Sequence, residues 1–536
     1  MAAPFAYELG AFDPTFPGIT LHYPNEATWK KAGEVSWLYY GLIGPEILKR
    51  NPGMSAKDLD PTRVIEELLA NPELGIPLSP EGKDEIGRKF IARDPDNAVA
   101  NLAIASATEH ERRHFHDWLL SPYAAEINEL RSWVFVNYGL LRRALHADGT
   151  TVIPVPLSRW LRKSEAEQQM LIDMWRSLLG EAERIQLPDF TRPKVTKTIE
   201  EITARYQRIG RLFEPFEPVK GMRIDGAAIF EASALMIQTQ AIHDLFGETA
   251  SNLFSSEMAG LATPSRYGWF SQAMVMASIV HRPGAIPENG AFSFENDTMS
   301  TIATWCLLGS NNADGANAHP LTRFDHALGY VKARGLSNLD LPANEILEEL
   351  DNFSGVMPYR DLLEHSIEHF TEEVRWLDNM IKEKGHTASN HLLGVFQTQM
   401  LVYSWHVHMA RLFMDDPNDY CQPVEYLDRS LGKLPEPPLR HTFGRPFYSI
   451  DPSMLDRHDQ VMLFKDESTP DRAFVRETIN QAPRGSLIDL RVADNWQYLC
   501  GLADLAFSEY NRDHPEIETQ RALAKDEGIR YLEVLS

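Results

Sequence analysis

Apolar residues recur every three to four positions through most of this 536-residue chain, and that spacing is the strongest limit on its fold. The stretch "SRWLRKSEAEQQMLIDMWRSLLGEAERI" illustrates it, with Trp160, Leu161, Met170, Leu171, Met174, Leu178 and Leu179 at roughly helical intervals. "EATWKKAGEVSWLYYGLIGPEILKR" opens the series. "DPTRVIEELLANPE" follows, with Asp60 as an N-cap and Pro61 at the first helical position. "DPDNAVANLAIASATEHERRHFHDWLL" starts the same way, with Asp94 or Asp96 before a long helix-forming run. The same reading predicts helices from about 194 to 213, 225 to 246, 266 to 281, 296 to 308, 358 to 384, 388 to 414 and 490 to 512.

Strand signals are few. "TTVIPVPL", residues 150–157, is the best, and its two prolines suit an edge strand or an extended connection. "QVMLF", residues 460–464, is a shorter one. The expected fold is mainly α, a large multi-helix globular protein with few or short strands. Residues 1–93 form an N-terminal helical region, and 94–432 a helical core. Residues 433–536 add a proline-rich extended connection and C-terminal helices. No repeat of 20 to 50 residues stands out, which argues against a solenoid. The loops 281–298 and 309–322 are rich in Gly, Asn and Pro, and loops of that length often line a site.

Lys and Arg total 52 against 76 Asp and Glu, a formal charge of −24. Such a field repels phosphate, so non-specific binding to nucleic acid or an anionic membrane is not expected. Three scattered cysteines, Cys306, Cys421 and Cys500, fit buried thiols in a reducing compartment. The N-terminus has no basic region followed by an apolar run, and no segment has the apolar length of a membrane span. A cytoplasmic location is the expectation.

"TEHERRHFHDWLLSP", residues 108–122, contains His110-Glu111-Arg112-Arg113-His114, an HExxH pattern. Residues i and i+4 share a helix face, so two imidazoles there can grip one Zn²⁺ at about 2.0–2.1 Å. The adjacent glutamate lies where it can take a proton from a metal-bound water. Chance would produce the pattern roughly 0.05 times in a chain of this composition. The flanks "AVANLAIASA" and "FHDWLL" are small or apolar, as a buried helix requires. A polar outer face is the competing reading.

At these five residues the chain resembles the HExxH zinc metallopeptidases. In their gluzincin group a glutamate on a later helix supplies the third ligand. The resemblance implies His110 and His114 as ligands, Glu111 as general base and a peptide or small-molecule substrate. The metzincin extension is missing: Asp117 stands where its glycine belongs and Leu120 where its third histidine belongs.

Glu231, in "DGAAIFEASALMIQTQAIHDLFG", is the favoured third ligand. An acidic residue inside a small, apolar helix is costly to bury unless something cationic compensates it. Its spacing from His114 is longer than the usual gluzincin interval, and Leu235 occupies the position where an aspartate is common. The alternative is a buried pair with Arg112 or Arg113. Glu126 and Glu129 are nearer ligand candidates. Glu126 gives a spacing similar to the zinc motif of a helical ubiquinone-biosynthesis family, but Ser121-Pro122 is expected to end the helix before it. Asp117 is a candidate to orient a liganding imidazole.

Other constellations are weaker. "HSIEH", His365 to His369, matches the inverted motif HxxEH, yet its charged surroundings suit a solvated amphipathic helix. His406 and His408 do not share a helix face and suit a core or interface role. A di-iron carboxylate bundle needs two ExxH motifs, and only Glu111 to His114 supplies one. Tyr267, His281 and His319 are candidate oxyanion donors. The expected function is zinc-dependent hydrolysis of a peptide or amide bond, with non-haem iron (Fe²⁺) redox chemistry and a non-enzymatic helical scaffold as alternatives.

Overall fold

The structure is a computed structural model. It describes most of residues 79–435, short segments at 10–13, 18–23, 439–443, 502–507 and 529–533, and scattered positions between 34 and 55. Its long helices are α1 (Pro80–Arg93), α2 (Ala98–Leu120), α3 (Pro122–Leu145), α4 (Glu165–Leu179), α5 (Pro193–Leu212) and α6 (Gly226–Met258). Then come α7 (Arg266–Ser278), α8 (Asn296–Leu307), α9 (Pro320–Arg334), α10 (Ala343–Ser354), α11 (Tyr359–Lys384) and α12 (Asn390–Asp415), and a short α13 (Pro417–Cys421). The protein is mainly α.

Local chemistry explains several boundaries. Ser79 caps α1 by accepting the Gly82 N–H at 3.2 Å, and Pro80 takes the first helical position. A 3₁₀ turn, Pro95–Asn97, precedes α2, and the Asp94 carboxylate accepts the side-chain amides of Asn97 and Asn101. Ser121 ends α2 and starts α3. Its N–H reaches the Asp117 carbonyl, and its hydroxyl accepts the Ala124 N–H. The break expected at Ser121-Pro122 is therefore present.

Two features of the helix series differ from expectation. Helices α1, α3, α9, α10 and the short α13 lie outside the stretches predicted to be helical. Helix α6 also runs well past 246. Gly247 interrupts it with φ 78°, and the helix restarts as the Asp84 carboxylate of α1 accepts the Thr249 N–H at 2.8 Å. A glycine that reads as a stop in sequence is here a bend.

The strands are short. β1 (Gly10–Asp13) pairs antiparallel with β2 (Gly18–Tyr23), and β2 pairs parallel with Leu439–Phe443 of the proline-rich connection. The segment Thr150–Val155 pairs parallel with both Ile185–Gln186 and Ile529–Glu533. It is thus a central strand rather than the expected edge strand. Among the described residues, Ile185–Gln186 pairs with Thr150 and Thr151 while Pro154 faces Leu532, so the proline has one described neighbour strand beside it. Residues 460–464, the predicted helix at 60–73 and Cys500 lie outside the described residues; 502–507, within the predicted C-terminal helix, is helical.

The main core joins the C-terminal half of α2 to α6, α8, α9, α10, α11 and α12. Ala228, Ala232, Ser233 and Ala234 of α6 are all buried, and small side chains let α2 come close. Cys306 and Cys421 are buried free thiols, as expected. No described helix is long and apolar enough to cross a membrane.

Candidate metal centre

The charged run of α2 lies inside the protein. His110, Glu111, Arg113, His114, His116 and Asp117 are all at most 7% exposed. A polar outer face is excluded, and each of these groups must find a partner.

Two of them, His110 and His114, converge with Glu231 of α6, as the spacing predicts. His110 Nε2 lies 3.2 Å from Glu231 Oε2, His114 Nε2 lies 3.4 Å from the same oxygen, and the two Nε2 atoms are 3.0 Å apart. The rings meet edge to face with centroids 4.6 Å apart. A tetrahedral shell with bonds of about 2.0–2.1 Å has edges on the order of 3.3–3.4 Å, so these separations suit one small divalent ion with slight widening. Among the described residues this is the one group of three or more His, Cys, Asp or Glu close enough to share an ion. The Glu231 side chain keeps 23% exposure and the imidazoles 9%, so the cluster is open on the glutamate side.

Burial alone would raise the Glu231 carboxyl, but the His114 and His110 imidazoles outweigh it and hold the group well below the usual carboxylate range. The arginines are engaged elsewhere. Arg112 donates to Glu109 at 2.7 and 2.8 Å, and Arg113 lies 3.0 Å from Asp117. The polar neighbours of the Glu231 carboxylate are thus imidazoles rather than guanidinium groups.

Glu126 and Glu129 face other partners. Glu126 pairs with Arg208, and Glu129 Oε1 accepts from His369 Nε2 at 3.2 Å. Glu111 is buried beside His110 but is not one of the three converging groups. Asp117 does not orient a liganding imidazole. Its Oδ1 meets Arg113 Nε at 3.0 Å and accepts the Tyr420 hydroxyl at 2.8 Å. An arginine four residues back on the same helix face out-competes a neutral ring for a buried carboxylate.

Arg113 was not foreseen as a site feature. Its Nε donates to Ser233 of α6 at 3.0 Å, one terminal nitrogen to the Tyr420 carbonyl at 2.9 Å, and the other to Thr304 of α8 at 3.1 Å. The rings of Tyr420 and Tyr426 flank the guanidinium at 4.1 and 4.7 Å. Burial disfavours its charge, but Asp117 more than offsets this and keeps it protonated. Removing one member of such a buried pair costs about 3–5 kcal/mol. His116 points the other way. Its Nε2–H donates to the Pro435 carbonyl at 2.8 Å and its Nδ1 accepts the Tyr426 hydroxyl at 2.5 Å, while burial pushes its pKa down to about 3.

The remaining candidates are accounted for structurally. His365 donates to the Asp361 carbonyl at 2.6 Å, and His369 is half exposed, so the HxxEH segment of α11 is a solvated face. His319 caps α9, with Nδ1 accepting the Leu321 N–H and Nε2 donating to the Leu212 carbonyl, both at 3.2 Å. That role removes it as an oxyanion donor. His281 and the side chain of Tyr267 lie outside the described residues. No protein-family description, curated protein or solved structure matches this chain.

Proposed function

We propose that the chain binds one divalent metal ion, zinc by preference, through His110, His114 and Glu231, and hydrolyses a peptide or amide bond there. The convergence of three ligand atoms from α2 and α6, all within 3.4 Å of one another, carries this reading. Zinc on two imidazoles and a carboxylate supplies a water of pKa about 7 at its open position. Glu111, buried next to His110, takes the water proton and returns it to the leaving amine. The choice of peptide or amide bonds rests on the HExxH spacing, and the opening beside Glu231 is the side from which substrate approaches.

The same donor set favours a second reading. Two histidines and one carboxylate also hold mononuclear non-haem iron(II). A di-iron centre has less support, because the described residues hold no second ligand group.

Elemental analysis of the purified full chain tests both. Zinc at about one per chain, lost in His110→Ala, supports the hydrolase; iron with optical or paramagnetic signals supports the redox enzyme. Glu111→Gln keeps its metal but no longer cleaves a quenched-fluorescent peptide library. A protein that holds neither metal, and whose His110→Ala variant melts like wild type, is a helical scaffold instead.

A further inference from the structure

Arg113 and Arg323 are both fully buried, yet they differ in what they join. Arg323 donates to the Trp305 carbonyl at 3.2 Å, lies 3.9 Å from Asp351 and faces the Trp305 ring at 4.6 Å. These contacts bind α8, α9 and α10 to one another, and none of them reaches α2 or α6. Arg113 directly precedes the ligand His114, and its Nε holds Ser233, two residues beyond the ligand Glu231.

We propose that Arg113 is a positioning residue that sets the distance and rotation of α6 against α2 at the ligand cluster. The inference rests on the metal-site reading above. Two residues on a helix are about 200° apart around its axis, so Ser233 and Glu231 lie on opposite sides of the contact line with α2. A bond at Ser233 therefore fixes the rotation of α6 as well as its distance. Glu231 Oε2 then meets both imidazoles only at one setting of the two helices.

The arginine serves as a fixed reference because its own place is over-determined. Thr304 and the Tyr420 carbonyl hold its terminal nitrogens, Asp117 matches its charge, and two tyrosine rings flank its plane. A lysine has one nitrogen and no planar fork, so it cannot reach Ser233, Thr304 and Tyr420 together. Gln238 also ties these helices, its Nε2 donating to Ser106 Oγ at 3.1 Å and to the Ala103 carbonyl at 3.5 Å, but it lies farther along and does not constrain Glu231 directly.

The test compares full-length wild type with Arg113→Lys, Ser233→Ala and Arg323→Lys. Zn²⁺ affinity is read by competition with a chromophoric chelator, Co²⁺ coordination by visible absorption, and stability by urea unfolding of metal-free protein. Arg113→Lys and Ser233→Ala lower Zn²⁺ affinity by roughly 10- to 100-fold and alter the Co²⁺ spectrum, as loss of an outer partner does. Arg323→Lys lowers the urea midpoint but leaves affinity and spectrum as in wild type. Should Arg113→Lys not fold, Ser233→Ala, which keeps the buried charge pair, carries the comparison.

Wild-type affinity in the Arg113 and Ser233 variants overturns the proposal while leaving the metal site standing. An equal affinity loss in Arg323→Lys also overturns it, because affinity then follows global stability alone. Wild-type protein that takes up no Zn²⁺ overturns the metal site itself, and the positioning role with it.

Discussion

His406 lies between the rings of Phe370 and Trp118, at centroid distances of 4.7 and 5.3 Å, and its Nδ1–H donates to the Leu119 carbonyl. Burial pushes its pKa down to about 4, and no charged group opposes that. The folded ring therefore stays neutral well below the ordinary value of about 6.5, whereas the unfolded chain takes up a proton there. Stability contributed by the neutral ring is complete above pH 6.5 and falls as pH drops toward 4, by about 1.4 kcal/mol per pH unit at most. Urea unfolding at pH 7.5 and pH 5 should show a smaller drop in His406→Gln than in wild type; equal drops would remove His406 from the acid response.

Glu231 permits a sharper test. Glu231→Gln keeps the size of the side chain but loses the charge, so Zn²⁺ binding weakens while helix content stays the same. Unchanged affinity would remove Glu231 from the ligand set. This residue was legible in the sequence because a lone acid among Ala, Ile and Phe has to be answered by something cationic. His110 and His114 were legible because a helix places i and i+4 together. Asp117 was not, because its partners depend on Arg113 and on Tyr420, 303 positions later.

Helices α1 and α6 meet at two glycines. A Cβ on Gly87 would fall 1.9 Å from the Phe246 carbonyl oxygen, and one on Gly247 would fall 2.5 Å from the Asp84 backbone. Gly247 also has φ 78° and ψ −177°, a region essentially closed to other residues. Gly247→Ala should lower the unfolding free energy by at least about 1–3 kcal/mol in a urea titration. A midpoint equal to wild type would mean that the bend is not required. The start of α2 was readable from the Asp94-Pro95 pair. The continuation of α6 was not, because the carboxylate that restarts it comes from Asp84, 165 positions away.

At the scale of the whole molecule, a ligand that binds only the folded state raises its stability by mass action. Zn²⁺ at 100 times its dissociation constant adds about 2.7 kcal/mol, so thermal unfolding moves upward with metal and returns with a chelator. The His110→Ala protein should show no such shift; a full shift in that variant would place the ion elsewhere. The mainly α architecture was legible from periodicity alone. The parallel pairing of Gly18–Tyr23 with Leu439–Phe443 was not, because neither segment carries information about its distant partner.

The guanidinium of Arg113 draws on Ser233, Thr304 and a carbonyl 307 positions downstream. A fragment trimmed to the two ligand helices would keep every donor atom for the ion and the Asp117 carboxylate, yet leave the guanidinium without its Thr304 and Tyr420 acceptors. Grafting that pair of helices into another scaffold would fail unless the hydroxyl at 304 and the peptide oxygen at 420 travelled with them.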